Sequence, residues 1–81
     1  MKDSLLTSTY GQVLKELRAK KKISQEDLAF KSNLHPTYIS LLERGLRQPS
    51  LTVIFEIAVG LDIDPKEFIE IVSNRLKRDQ K

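Results

Sequence analysis

The chain has 81 residues, of which 40% are hydrophobic and 31% charged, and its formal net charge is +3. This balance is typical of one small globular domain rather than of a disordered chain. The absence of cysteine excludes disulfides and thiolate metal ligands. The opening residues lack a signal-peptide pattern, and no stretch approaches the roughly 20 apolar residues of a membrane span, so we expect a cytoplasmic protein. The basic balance permits a polyanionic partner without requiring one.

The first predicted element is an amphipathic helix from Tyr10 to about Lys21. Its apolar side chains follow the i, i+3, i+4, i+7 spacing: Tyr10, Val13, Leu14 and Leu17. Residues 1–9 show no clear periodicity and are predicted to form a loose N-terminal arm. The other face of the helix is basic, with Lys15, Arg18, Lys20, Lys21 and Lys22. These cations form either a solvated face that suits the helix dipole or a surface for a polyanion.

Two short helices joined by a tight corner are predicted within residues 23–47. Ser24 is a helix cap, and Asp27 stands where a capping box places its acidic partner. Asn33 tolerates a left-handed backbone and marks the corner. Pro36 suits the first position of the next helix, which is predicted over residues 36–44 and ends before Gly45.

Two further helices complete the chain. Ser50 caps a helix that runs to Gly60, and its predicted core stripe consists of Leu51, Ile54, Ile57 and Ala58. Asp64, Pro65 and Glu67 form a strong helix-start signal, so the last helix is predicted over residues 64–78. The sequence has no sustained alternation of apolar and polar residues with a period of two, the pattern that would indicate a β-strand. The sequence therefore predicts an all-α, five-helix single domain spanning residues 1–81.

The helix predicted over residues 36–44 has two contrasting faces. Leu34 in the corner, Ile39 and Leu42 form an inward apolar set. The outward row contains Thr37, Leu41 and Arg44, with Tyr38 and Ser40 beside it. A row that mixes hydroxyl, apolar and guanidinium groups is typical of a surface that contacts base edges.

Three sequence blocks occur in an order that is specific in combination: SQEDLA, YISLLERG and PSL. With them, the chain resembles the Cro/C1-type helix-turn-helix family over about residues 10–68. It is most similar to small stand-alone regulators, which include restriction-modification controller proteins and phage repressor domains. The resemblance implies a lambda-repressor-like DNA-binding domain that acts as a homodimer on a two-fold symmetric operator.

The resemblance also implies which side chains contact bases. Thr37 lies where relatives meet bases and offers both a hydroxyl and a methyl group. Arg47 lies just beyond the recognition helix, where relatives direct an arginine to a guanine. Leu41 either contacts a thymine methyl group or turns into the domain. Pro36 replaces a glutamine or arginine that reads a base in several relatives, so the operator preference is open at this point.

A second group matches family contacts to the DNA backbone: Gln25, Tyr38, Ser40, Arg44 and Gln48. Gln25 matches a glutamine that clamps a phosphate, and the alternative is a plain first-turn residue in solvent. Tyr38 reaches a phosphate or sugar, or is an ordinary boundary aromatic. His35 is predicted to be a residue of the helix cap or a neighbour of a phosphate, and not a metal ligand.

Two other matched positions concern the frame of the motif. Arg18 and Glu43 correspond to an ion pair that ties the first helix to the recognition helix, and the alternative is two independent surface charges. Lys22 replaces a family glycine before Ile23, so its backbone is expected to adopt a positive φ at some cost.

The last two helices carry more apolar side chains than so small a domain turns inward. A homodimer interface is predicted from Phe55, Val59, Ile63, Ile69 and Leu76. The alternative is an apolar tail without a partner.

Catalysis finds little support in the sequence. The chain has one histidine and no cysteine, and Asp62, Asp64 and Glu67 already serve helix ends. We therefore predict no catalytic residue, no metal site and no cofactor. The predicted function is regulation of transcription by occupancy of double-stranded DNA, with RNA polymerase as a candidate partner. The competing hypothesis is an antitoxin-like or adaptor module with the same fold, whose partner is a protein.

Overall fold

The computed structural model describes residues 3–79 and contains five helices: α1 (Asp3–Lys21), α2 (Gln25–Ser32), α3 (Pro36–Glu43), α4 (Leu51–Gly60) and α5 (Pro65–Asp79). No strand occurs between residues 3 and 79. The prediction of an all-α, five-helix domain is therefore confirmed. Within the same residues, no helix combines the length and the apolar character needed to cross a membrane.

The start of α1 differs from the prediction. This helix begins at Asp3, so the predicted loose arm is wrong for residues 3–9, while residues 1–2 lie outside the described part. Thr7 and Thr9 are buried in this first part of the helix, and Leu6 packs against the core. Because two of the inward positions are threonines, the hydrophobic pattern does not reveal these turns.

The helix ends follow local side-chain chemistry as predicted. Ser24 Oγ accepts the Asp27 amide at 3.0 Å, and the Asp27 carboxylate accepts the Ser24 amide at 3.4 Å, which completes the capping box. Asn33 ends α2 with φ 58°, and Gly45 follows α3 with φ 71°. Lys22 adopts φ 58° after α1, as expected for a lysine at a position where relatives have glycine.

The fourth and fifth helices also start at their predicted caps. Ser50 Oγ accepts the Val53 amide at 3.1 Å. Asp64 Oδ1 accepts the Lys66 amide at 2.9 Å. Leu51 is exposed, so its predicted place in the α4 core stripe is wrong. It occupies the first turn of α4, whereas the fully buried positions, Ile57 among them, lie near the C-terminal end.

The core joins all five helices. Its largest fully buried apolar side chains are Phe68, Leu14, Leu28, Ile39, Leu42, Ile57 and Leu61. Tyr10 stacks on Phe68 with ring centroids 5.0 Å apart and the two ring planes inclined by 18°. On the surface, both guanidinium Nη atoms of Arg75 donate to the Glu16 carboxylate at 2.7 and 3.0 Å, which links α5 to α1.

Candidate nucleic-acid interface

The recognition helix α3 is anchored through one face. Ile39 and Leu42 are fully buried, and the 3.6-residue repeat places Thr37 and Arg44 on the opposite side, where both are exposed. Ser40 and Leu41 flank this outward row and are half-buried. The structure therefore brings the predicted contact residues of α3 onto one side of the domain.

The outward face of α3 presents no negative charge. Glu43 is the only carboxylate in α3, and only 3% of its side-chain surface is exposed. The connection over residues 44–50 contains no carboxylate either, while Arg44 and Arg47 are both exposed in it. Over α3 and this connection a polyanion meets no accessible carboxylate, whereas Glu26 and Asp27 are exposed in the first turn of α2.

The start of α3 is fixed by a histidine. His35 Nδ1 accepts the Thr37 amide at 3.1 Å, and Pro36 occupies the first helical position. The expectation that His35 belongs to the cap region is confirmed. This bond uses the ring nitrogen as an acceptor in place of the usual hydroxyl or carboxylate, and it sets the backbone from which Thr37 projects.

Arg47 lies against an aromatic ring at the end of the outward face. Its guanidinium carbon is 5.6 Å from the centroid of the Tyr38 ring. Tyr38 is half-buried and packs against the core, so the ring is a fixed support for an exposed cation. Gln48 follows Arg47 and is also exposed. Nothing in the sequence pattern announces the contact between Arg47 and Tyr38, because it depends on how the chain turns at Gly45.

A buried network behind α3 fixes its place in the domain. Arg18 donates to the Glu43 carboxylate from Nε at 2.6 Å and from Nη2 at 3.0 Å. Arg18 Nη1 also donates to the Ile23 carbonyl at 3.0 Å. The hydrogen bond to Glu43 raises the pKa of Arg18. A two-point ion pair with a buried carboxylate ties α1 to α3, and loss of one partner would leave the other charge unpaired.

Gln25 joins the same network. Its Nε2 donates to Glu43 Oε1 at 3.0 Å, so the side chain is oriented from α2 toward the end of α3. An amide nitrogen carries two hydrogens, and this bond uses one of them. The sequence singled out Gln25 for a phosphate contact but did not reveal the bond to Glu43, because the two residues lie on different helices.

The residues predicted to form the homodimer interface differ in their exposure to solvent. Val59 is 71% exposed, Phe55 51% and Ile69 43%. Ile63 is half-buried and packs against the core. Leu76 is only 8% exposed, so its assignment to a partner-facing surface is corrected: the Phe68, Val72 and Leu76 row of α5 faces inward, and Leu76 has little area left to cover.

One exposed aromatic residue is not among the site residues predicted from the sequence. Phe30 in α2 is 88% exposed, on the side of the helix away from the buried Leu28, Ala29 and Ser32. Its position outside the apolar stripe of α2 is the signal that would have identified it. Over residues 3–79, no three His, Asp or Glu side chains cluster as a metal site would require.

Helices α2 and α3 are short and meet at a left-handed corner, and the ion pair of Arg18 with Glu43 holds α3 from the side of α1. The outward face of α3 carries no accessible carboxylate. This arrangement defines a helix-turn-helix regulator. The chain belongs to the helix-turn-helix family, whose model matches residues 14–68. The control protein C.BamHI of Bacillus amyloliquefaciens is 42% identical over 65 residues, which cover 79% of this chain and 80% of that protein. The chain is a transcriptional regulator similar to restriction-modification controller proteins.

Solved structures agree with this assignment. The restriction-modification controller protein C.AhdI of Aeromonas hydrophila matches with a TM-score of 0.74 and 47% identity, covering 76% of this chain and 94% of that one. The controller protein C.Esp1396I, solved as a tetramer in complex with its natural 35 base-pair operator, matches with a TM-score of 0.83 and 38% identity. This match covers 88% of the present chain and 93% of the other. The resemblance found in the sequence is confirmed.

Proposed function

We propose that the protein binds double-stranded DNA sequence-specifically, as a homodimer on a two-fold symmetric operator. The observation that carries this proposal is the outward face of α3, where two exposed arginines stand beside a helix without an accessible carboxylate. An α-helix fits the major groove, where the base edges present a distinguishable pattern of donors and acceptors. Two copies of α3 would enter successive grooves about 34 Å apart.

The contacts divide into two classes. Thr37, Leu41 and Arg47 contact bases, and Arg47 does so as a fork that donates to a guanine. The backbone group consists of Gln25, Tyr38, Ser40, Arg44 and Gln48, which position the protein through phosphates and sugars. The bond from Gln25 to Glu43 supports its role, because the amide is held at the N-terminal end of α2 with one hydrogen still to donate.

The regulatory effect follows from occupancy. A protein on its operator blocks or assists RNA polymerase according to where the operator lies, which makes the polymerase a candidate partner. Similarity to C.BamHI and C.AhdI supports a controller of a restriction-modification system as the specific version. The similarity to control proteins and regulators does not favour the antitoxin-like or adaptor alternative.

The test compares Arg47→Ala with Gln25→Ala on duplexes selected from a random pool and on their single-base variants. We expect Arg47→Ala to flatten the preference at one base pair by about 1–3 kcal/mol. Gln25→Ala should weaken every duplex to a similar extent, because a phosphate contact carries no sequence information. Circular dichroism checks that both variants fold.

Arg78→Ala is the matched control, because it removes an exposed arginine at the far end of α5. It should leave the ranking of duplexes unchanged. If Arg47→Ala also leaves the ranking unchanged, the base-contact assignment of Arg47 is wrong. Failure of the native chain to select any duplex would contradict sequence-specific binding itself.

A further inference from the structure

His35 accepts the backbone amide hydrogens that the first turn of α3 offers. Its Nδ1 accepts the Thr37 amide at 3.1 Å, and its carbonyl oxygen accepts the Tyr38 amide at 3.0 Å and the Ile39 amide at 3.3 Å. Pro36 has no amide hydrogen to offer. The Thr37 amide is thus the one in this turn that depends on the imidazole, whereas the other two are bonded to the backbone of His35.

The start of α5 has the same local arrangement. Asp64 Oδ1 accepts the amide two residues further on, that of Lys66, at 2.9 Å, and Pro65 lies between them. Both helices therefore begin with a capping side chain, a proline and an amide bonded back to the cap. The two starts differ in charge, because the capping group of α5 is a carboxylate and that of α3 is an imidazole.

A carboxylate would suit the start of α3 better than an imidazole if helix stability alone decided. Aspartate is among the preferred N-cap residues, and a negative charge interacts favourably with the N-terminal end of the helix dipole. An imidazole nitrogen that accepts a hydrogen bond carries no proton, so His35 caps α3 as a neutral group. The first turn of α3 contains no acidic residue either, and Thr37 is exposed in it. The cap next to Thr37 therefore adds no negative charge.

We propose that His35 is a positioning residue for DNA recognition. As a neutral cap that acts through the Thr37 amide, it holds Thr37 in the conformation that meets a base pair, and it does so without repelling the phosphates. This role rests on the proposed function, in which Thr37 contacts a base. Loss of the cap lowers the fraction of molecules in which Thr37 is correctly placed, and the apparent affinity falls with that fraction.

The experiment measures binding to duplexes selected from a random pool and to their single-base variants, all at one salt concentration. Thr37→Ala first identifies the base pair whose preference depends on Thr37. His35→Ala should flatten the preference at that same base pair and weaken binding to the selected duplex by about 3–10-fold, the range expected for a lost helix cap. The preference at the base pair of Arg47 should stay native. His35→Asn should restore both properties, because asparagine is a neutral side chain that caps helices well.

His35→Asp separates the cap from its charge. A carboxylate should cap α3 as Asp64 caps α5, so the ranking of duplexes should stay native. Its negative charge should weaken binding to every duplex by about 3–10-fold relative to His35→Asn. This difference should narrow as salt is added, because ions screen an exposed charge.

Asp64→Ala is the matched control, because it removes the same kind of cap bond from α5. It should lower stability and leave the ranking of duplexes unchanged. The positioning role is overturned if His35→Ala keeps the native preference at the base pair of Thr37, or if His35→Asn does not restore it. The need for a neutral cap is overturned if His35→Asp binds as tightly as His35→Asn.

The outcomes also distinguish this role from the proposed function. If Thr37→Ala changes no preference, the base contact of Thr37 is wrong, and the role of His35 falls with it. If Thr37→Ala flattens one base pair and His35→Ala does not, only the role of His35 is wrong. Circular dichroism reports whether each variant folds, and the comparison of His35→Asn with His35→Asp decides the role of the neutral cap even if His35→Ala is unfolded.

Discussion

The Tyr10 hydroxyl affects how the free energy of unfolding depends on pH. Burial raises the pKa of Tyr10, and the nearby Tyr38 adds to the rise. An unfolded tyrosine ionises near pH 10. Above about pH 10 the unfolded chain releases a proton that the folded chain retains, so the free energy of unfolding falls as pH rises. Below about pH 10 both the folded and the unfolded chain keep this proton, so the stability that is lost at higher pH is fully present.

We therefore expect Tyr10→Phe to lose less stability than the native chain between about pH 9 and pH 11, by at most about 1.4 kcal/mol per pH unit. Urea unfolding at a series of pH values measures the difference. At pH 7 the variant should be at least as stable as the native chain, because it lacks a buried unpaired hydroxyl. Equal losses of unfolding free energy in both proteins above pH 10 would contradict a raised pKa at Tyr10.

At single residues, the sequence revealed local chemistry and missed distant contacts. Ser24, Asp27 and Asn33 were identified because a cap is formed by neighbours in the chain. The contact of Arg47 with Tyr38 and the bond of Gln25 to Glu43 depend on tertiary packing, which neither spacing nor composition specifies. The resemblance to relatives pointed to these positions, but not to the interactions that orient them.

Among the helices, the contact of α1 with α3 requires a residue without a side chain. A Cβ added at Gly11 would overlap the Leu42 carbonyl oxygen and lie 3.0 Å from the Glu43 carbonyl oxygen. Both atoms belong to the backbone of α3, so relief requires that the two helices separate. The glycine therefore permits the close approach that the Arg18 and Glu43 ion pair also stabilises.

We expect Gly11→Ala to lower the free energy of unfolding by about 1–3 kcal/mol, the usual range for overpacking. Helix propensity alone would change it in the opposite direction, by about 0.5–1 kcal/mol. Urea unfolding measures the net effect. Gln12→Ala, on the exposed side of the same helix, is the control and should change stability little. A stabilised Gly11→Ala would show that the helices accommodate the methyl group.

Helix boundaries were predictable wherever a cap or a proline marks them. The starts of α2, α3, α4 and α5 agree with the caps or prolines in the sequence. The start of α1 was missed because Thr7 and Thr9 occupy buried positions that a hydrophobic pattern assigns to apolar residues. Leu51 is the reverse case, an apolar residue that was predicted to be buried and is exposed. Its spacing fits the apolar stripe of α4, but the first turn of that helix extends beyond the core.

At the scale of the whole molecule, exposed apolar side chains on α4 and α5 bear on the proposed homodimer. Phe55 and Val59 lie four residues apart on α4, which places them on one side of that helix, and Ile69 is exposed on α5. Covering such side chains stabilises an assembly by about 25 cal/mol per Å² of apolar area removed from water. A carboxylate placed among them would be buried without a partner in the dimer.

We therefore expect the native chain to be a dimer in sedimentation equilibrium at about micromolar concentration, and Val59→Glu to be a monomer that retains native helical content. Phe30→Glu is the matched control, because it adds the same charge at an exposed apolar position on α2, outside the proposed interface. It should remain dimeric. If both variants dimerise like the native chain, the interface lies on another surface. A monomeric native chain would contradict the homodimer itself, and α3 would then have to recognise a half-site alone.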